Sequence, residues 1–169
     1  KHSFVLTLSN NVTEKEGVNY LIENYTGFFK IDLATKKELL DLLKIEHRFL
    51  QAFDLIYVPE MVGKIADAGF IQTYLEDIIL VELKTTKKYL PENPKGFFFG
   101  ATENEFNFGK ILGSRFRFCF VSLNEKGSSY AFLTLEELEE LGYIDLPIKN
   151  YLTGDNFNQS CFNITITKQ

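Results

Sequence analysis

Ile78-Ile79-Leu80-Val81-Glu82-Leu83-Lys84-Thr85-Thr86 is the stretch on which the reading of this chain turns. An apolar, β-branched run of this kind is expected to be a buried strand. Side chains alternate faces along a strand, so Glu82 and Lys84 share one face and Leu83 takes the other. An acid and a base at the end of a core strand are costly to desolvate without partners. The pair therefore marks a candidate site. The competing reading is a buried Glu–Lys ion pair that serves only the sheet, since acid-x-base is a common pattern.

Working outward, Phe53 to Val58 reads as a strand stopped by Pro59. A long connection from Glu60 to Asp77 follows, with room for a short element between Phe70 and Leu75. Beyond the central run, Tyr89 to Gly96 is a Pro/Gly/Asn loop. Phe97 to Ala101 is a short strand. Thr102-Glu103-Asn104-Glu105 is a capping box whose helix should stop at Gly113. Arg115 to Val121 alternates and then turns fully apolar, as a strand entering a core does. A turn at Glu125 to Ser129 returns it as Tyr130 to Leu133. Thr134 to Glu137 caps a short helix ended by Gly142, and Phe162 to Thr167 is a last strand. The tail between them carries Pro147 and Gly154.

Toward the N-terminus, Phe4 to Leu8 reads as a strand and Asn10-Asn11-Val12 as a turn. Thr13 to Glu16 is a capping box opening a helix to about Asn24, with Val18, Leu21, Ile22 and Tyr25 on one face. Gly27 fits its exit. Phe28 to Leu33 reads as a strand. Thr35 to Glu38 caps a helix expected to run to Gln51, with Leu39, Leu40, Leu43 and Leu50 as its apolar stripe. Strands interleaved with helices give an α/β class, a mixed sheet flanked by helices on both faces.

The 169 residues suit one domain spanning 1–169, with its core between about 53 and 123. Apolar residues are 45% and charged residues 24%, as in ordinary globular chains. No apolar run approaches the roughly 18 to 20 residues that span a bilayer, so no membrane role is expected. Lys1 to Leu8 is too short and too strand-like for a secretory signal. The two cysteines, Cys119 and Cys161, make no disulfide framework, and Cys119 lies in an apolar pattern. These features point to a reducing, cytoplasmic setting. The net charge of −5 argues against nucleic acid as a partner. Yet from Lys84 to Arg117 seven basic residues stand against three acidic ones. Lys87, Lys88, Lys110, Arg115 and Arg117 are the candidate phosphate contacts, and a solvated face is the plainer alternative.

Metal-assisted phosphodiester hydrolysis needs at least two hard oxygen ligands on one ion. Asp54, Asp67 and Asp77 are the upstream acids that could join Glu82. Asp77 starts the strand that Glu82 ends, roughly 16 Å away, which excludes a shared ion. If the strands of Asp54 and Glu82 pair antiparallel, the start of one lies beside the end of the other. Asp67 then falls at the far end of that hairpin. Asp54 and Glu82 are thus the expected ligands of Mg²⁺ or Mn²⁺. Lys84 is expected to orient the attacking water and offset charge developing on the phosphate.

With Asp54, Glu82-Leu83-Lys84-Thr85-Thr86 and Thr102-Glu103-Asn104-Glu105 in this order, the chain resembles the PD-(D/E)XK nuclease superfamily. The resemblance covers roughly Phe53 to Leu123. Phe53 stands where proline often precedes the first acid, and the connection between the catalytic strands is longer than a tight hairpin. The resemblance implies a restriction-endonuclease-like core and metal-dependent cleavage of double-stranded DNA, in a prokaryotic or viral setting. Acting on two strands implies a homodimer or a longer chain. An acid on the first helix sometimes assists in this family, and Glu16 or Glu23 is the expected counterpart, although the capping box also explains Glu16. The alternatives are a nuclease-like module that only binds DNA or a protein partner, and an RNA-directed nuclease. His47, on a helix rim, is expected to be solvated.

Overall fold

The computed structural model describes residues 2–59, 61, 69–144, 148–152 and 158–168, with side chains within 12–59, 61, 69–142 and 162–168. In chain order the elements are α1 (His2–Asn24), β1 (Phe28–Phe29), α2 (Leu33–Leu42), β2 (Leu55–Tyr57), α3 (Phe70–Thr73), β3 (Ile79–Thr86) and β4 (Phe98–Thr102). There follow α4 (Glu103–Leu112), β5 (Phe116–Ser122), β6 (Ser129–Leu133), α5 (Leu135–Leu141), β7 (Gly142–Ile144), β8 (Ile148–Leu152) and β9 (Asn158–Ile166). Asp67, Pro147 and Gly154 lie outside the described residues, as does the Cys161 side chain. The class is α/β, as the pattern of strands and helices predicts. Among the described residues no helix is long and apolar enough to cross a membrane.

β3 is the centre of a five-stranded mixed sheet in the order β1-β2-β3-β5-β6. It pairs antiparallel with β2, Leu55 facing Val81, and parallel with β5, Glu82 facing Phe118 and Lys84 facing Phe120. Alternation divides its side chains between two cores. Val81 and Leu83 join Val18, Leu21, Leu55, Cys119 and Val121 beneath α1. Leu80 joins a larger core of Phe53, Phe108, Phe116, Phe118 and Phe120 on the opposite face. The Phe-rich run of β5 fills that core through ring contacts such as Phe116–Phe118 at 5.1 Å. Burial pushes the Cys119 thiol well above its ordinary pKa and leaves it a packing group.

A second sheet, β4-β9-β7 with β8 also on β9, covers the larger core. Phe99, Ala101, Ile164 and Ile166 pack from it against the first sheet. The strand expected at Phe97 to Ala101 therefore joins a separate layer instead of extending a single sheet. Among the described residues, the capping boxes at Thr102 and Thr134 form as read.

Four expectations near the N-terminus are corrected. Phe4 to Leu8 is helical, not a strand, and Asn10-Asn11-Val12 makes no turn; both lie inside α1. Short apolar alternation does not separate strand from helix. No glycine or proline interrupts the chain before Gly17. Thr13 is therefore inside the helix and is not its start. Ile22 is 41% exposed and leaves the buried face.

The next helix starts three residues before the expected box. Asp32 is its N-cap, its Oδ1 accepting from the Thr35 amide at 2.8 Å. It ends at Leu42 and does not continue to Gln51. Lys44 takes a left-handed φ of 58°. The Lys44 amide donates to Asp41 O and the Ile45 amide to Leu40 O. That is a Schellman exit with lysine where glycine usually signals the stop. The strand expected from Phe28 to Leu33 shortens to Phe28–Phe29 for the same reason, since Asp32 and Leu33 are already committed to α2.

Gly17 seats α1 on β3. A Cβ there would lie 2.4 Å from Thr85 Oγ1, 3.1 Å from Thr85 Cγ2 and 3.2 Å from Leu83 Cδ2. Rotating Thr85 only exchanges hydroxyl for methyl, so the helix must lift. Gly17→Ala should lower the unfolding free energy. Overpacking costs about 1–3 kcal/mol, and alanine's helix propensity returns about 1 kcal/mol. Urea denaturation checks this; a stabilised variant would show that the helix does not press on β3.

Candidate active site

Three charged side chains meet where β3 leaves the larger core. Lys84 Nζ donates to Glu82 Oε1 at 2.8 Å and to Glu105 Oε2 and Oε1 at 3.1 and 3.2 Å. Glu82 and Glu105 are each 6% exposed. Asp54 stands one residue before β2, beside the Glu82 end of β3. Its Oδ2 accepts from the Leu83 amide at 2.8 Å, and its own amide donates to Val81 O at 2.8 Å. The antiparallel pairing that geometry required thus brings Asp54 to the backbone between Glu82 and Lys84.

Glu105 arrives by a different route. It is the N3 residue of α4, and its Oε2 also accepts from the Thr102 amide at 3.0 Å. The Thr102 hydroxyl in turn accepts from the Glu105 amide at 3.2 Å. Tight capping geometry therefore pins the carboxylate that grips Lys84.

Burial pushes the Glu82 carboxyl well above the ordinary carboxylate range; Lys84 pulls it back, while Glu105 and Asp54 push it further. Burial also works against the Lys84 ammonium, but Glu82 and Glu105 outweigh it and hold its pKa above the usual lysine value. Lys84 is therefore a cation here and no ready base. Glu82 Oε2 is buried with no hydrogen-bond partner.

Two residues that the sequence reading passed over approach the same place. Glu14 on α1 lines both the cleft of about 650 Å³ that holds Glu82, Lys84, Lys87 and Phe98, and the neighbouring hollow that holds Asp54 and Lys36. Its carboxyl is raised by partial burial and then by Asp54, against the lowering pull of Lys84, Lys30 and Lys36. Lys36 donates to the Phe53 carbonyl and lies 4.4 Å from the Phe53 ring centre. Burial lowers its pKa, while Asp54 and Glu82 counter that. The carboxylates of Asp54, Glu14, Glu82 and Glu105 thus stand among the ammoniums of Lys36 and Lys84, with Lys30 and Lys87 at the walls of the same two hollows.

Glu16, the expected auxiliary acid, instead bridges Lys87 at 2.8 Å with both side chains largely exposed. Glu14 lines the cleft because it lies three and four residues before Gly17 and Val18, on the stripe that faces β3. Residues two apart on a helix point in nearly opposite directions. That stripe was the available signal. Glu23 lines neither hollow.

The candidate phosphate contacts divide. Lys87 lines the cleft, and Lys88 is exposed just beyond β3. Lys110 borders a separate hollow with Gly113 and Thr134. Arg115 donates to the carbonyls of Leu75 and Ile78, at the other end of β3, roughly 20 Å along the strand from Lys84. Arg117 donates to Ser114 and Phe116 carbonyls. The structure brings neither arginine to the cleft. His47 is solvated as expected, with Asp41 at 2.7 Å.

Among the described residues no three or more His, Cys, Asp and Glu side chains gather as a complete metal site. The donors present still fit a hard cation of the Mg²⁺ kind. Such an ion keeps most of its waters and takes only one or two carboxylates plus substrate oxygens. The unpartnered Glu82 Oε2 and the Asp54 carboxylate supply two. No family model, curated protein or solved structure matches the chain.

Proposed function

We propose that the chain is a Mg²⁺- or Mn²⁺-dependent endonuclease of the PD-(D/E)XK kind, hydrolysing phosphodiester bonds in double-stranded DNA. The observation that carries this reading is the Leu83 amide held by Asp54 Oδ2 at 2.8 Å. Through it, the Asp54 carboxylate, 29 residues away in the sequence, is brought to the strand end that carries Glu82 and Lys84.

Asp54 and Glu82 would hold the cation, and Glu14 stands near enough to contribute its charge. A bound divalent ion supplies Lewis acidity toward the scissile phosphate and lowers the pKa of a coordinated water. The chain's own work is orientation and charge. Asp54 is fixed by the Leu83 amide, so its second oxygen is left for a ligand. Lys84, kept protonated by its two carboxylates, offers an N–H to a phosphate oxygen that gains negative charge in the transition state. Lys87 at the cleft wall offers a further cation to the backbone of the nucleic acid.

A second reading is favoured by one observation: the Glu82–Lys84–Glu105 cluster is closed on itself. In that reading the acids serve the fold and the module only binds DNA or a protein partner. Supercoiled plasmid incubated with the protein separates the two. The nuclease reading expects nicking or linearisation with Mg²⁺ or Mn²⁺ that EDTA abolishes. Linear duplex and RNA in parallel test the substrate class, and sedimentation tests for a dimer. Intact plasmid under all metal conditions, with no cation bound, would leave the binding module.

A further inference from the structure

We infer that Glu105 is a positioning residue: it is the standing counter-ion that keeps Lys84 in place when a divalent cation takes Glu82, and so sets how tightly that cation binds. This rests on the metal-binding reading of the site and extends it to a residue whose evident task is to cap a helix.

The geometry makes two demands on Glu82. Its Oε1 accepts from Lys84 at 2.8 Å, while its other oxygen is buried without a partner. A cation on that carboxylate would cancel most of the attraction that Glu82 exerts on Lys84. An ammonium whose side chain is only 14% exposed cannot lose its counter-ion without a large penalty. Glu105 supplies the reserve, with both oxygens within 3.2 Å of Lys84 Nζ. Its carboxylate does not move away with the cation, because the Thr102 backbone amide donates to Oε2 from the other side, a bond that does not need the Thr102 side chain. Lys84 therefore stays beside the cleft in both states.

Capping and charge are separable in this residue. Glutamine serves at N3 of a capping box as well as glutamate. Glu105→Gln therefore keeps the helix start and removes only the counter-charge. With the charge gone, the Lys84 ammonium competes fully with the divalent ion for Glu82.

The test is calorimetric titration of the metal-free protein with Mn²⁺, for wild type, Glu105→Gln, Lys84→Met and the double variant. Glu105→Gln should weaken Mn²⁺ roughly tenfold, and Lys84→Met should tighten it. In the Lys84→Met background the Gln substitution should change the affinity by less than about twofold, because no ammonium remains to be held. Thr102→Ala, which loosens the cap but keeps the charge, should leave the affinity near wild type. Should Glu105→Gln not fold, Glu105→Asp draws the carboxylate back by one methylene and should show the same dependence on Lys84.

An unchanged affinity in Glu105→Gln, or an equal loss with and without Lys84, would overturn the inference while leaving the metal site standing. A loss in Thr102→Ala as large as in Glu105→Gln would reduce Glu105 to its cap. A wild type that binds no Mn²⁺ would overturn the metal-site reading and this inference with it.

Discussion

Under the proposed nuclease function, Glu82→Gln should lower Mg²⁺-dependent cleavage by about 10³-fold or more, the effect of losing several kcal/mol of metal-borne stabilisation. Glutamine is nearly isosteric and can still accept from Lys84 through its carbonyl oxygen. What disappears is the negative charge at Glu82 Oε2, which is buried without a protein partner. Folding should survive. Lys84 retains both oxygens of Glu105, and a carboxyl that burial already holds above its ordinary pKa is given up. The melting temperature should therefore move by no more than a few degrees. Single-turnover cleavage, with circular dichroism as the folding control, checks both halves. A folded variant that cuts within threefold of wild type would remove Glu82 from the reaction.

Phe118→Ala carries the largest expected effect on stability. The ring is fully buried and sits within 6.4 Å, centre to centre, of the rings of Phe99, Phe106, Phe116 and Phe120. Both sheets and α4 supply those neighbours, so none can collapse into the space without dragging its own element. Truncation of a buried phenylalanine costs about 3–5 kcal/mol. For a chain of this length that lowers the melting temperature by about 6–20 °C. Because Phe118 faces Glu82 across the β3–β5 pair, the cavity also opens beside the site, and cleavage should fall faster with temperature than in wild type. Differential scanning calorimetry reads the first effect. A shift under about 2 °C would place the ring outside the cooperative core.

How much of this was legible in the sequence depends on how local the cause was. The β3 strand, its Glu82/Lys84 face, the caps at Thr102 and Thr134 and the stop at Gly113 follow from alternation and side-chain-to-backbone bonds within a few residues. The same local rules failed at α1, where a short apolar alternation is compatible with either period. They failed again at Lys44, which takes a left-handed turn that glycine usually announces. Asp54 needed one long-range assumption, the antiparallel pairing of β2 with β3, and that pairing is present.

The sequence by itself determined the strand that carries the charged pair, the α/β class and the acid that could reach it, because periodicity and pairing geometry are properties of neighbouring residues. Only the tertiary structure decided that Glu14 and not Glu16 overlooks the site, that Glu105 grips Lys84 while it caps its helix, and that Arg115 and Arg117 turn to backbone carbonyls away from the cleft. Those outcomes depend on where α1 lies on β3 and where α4 begins against the core. Burial sets both, since a close approach at Gly17 and a packed layer of phenylalanines fix positions that no local pattern encodes.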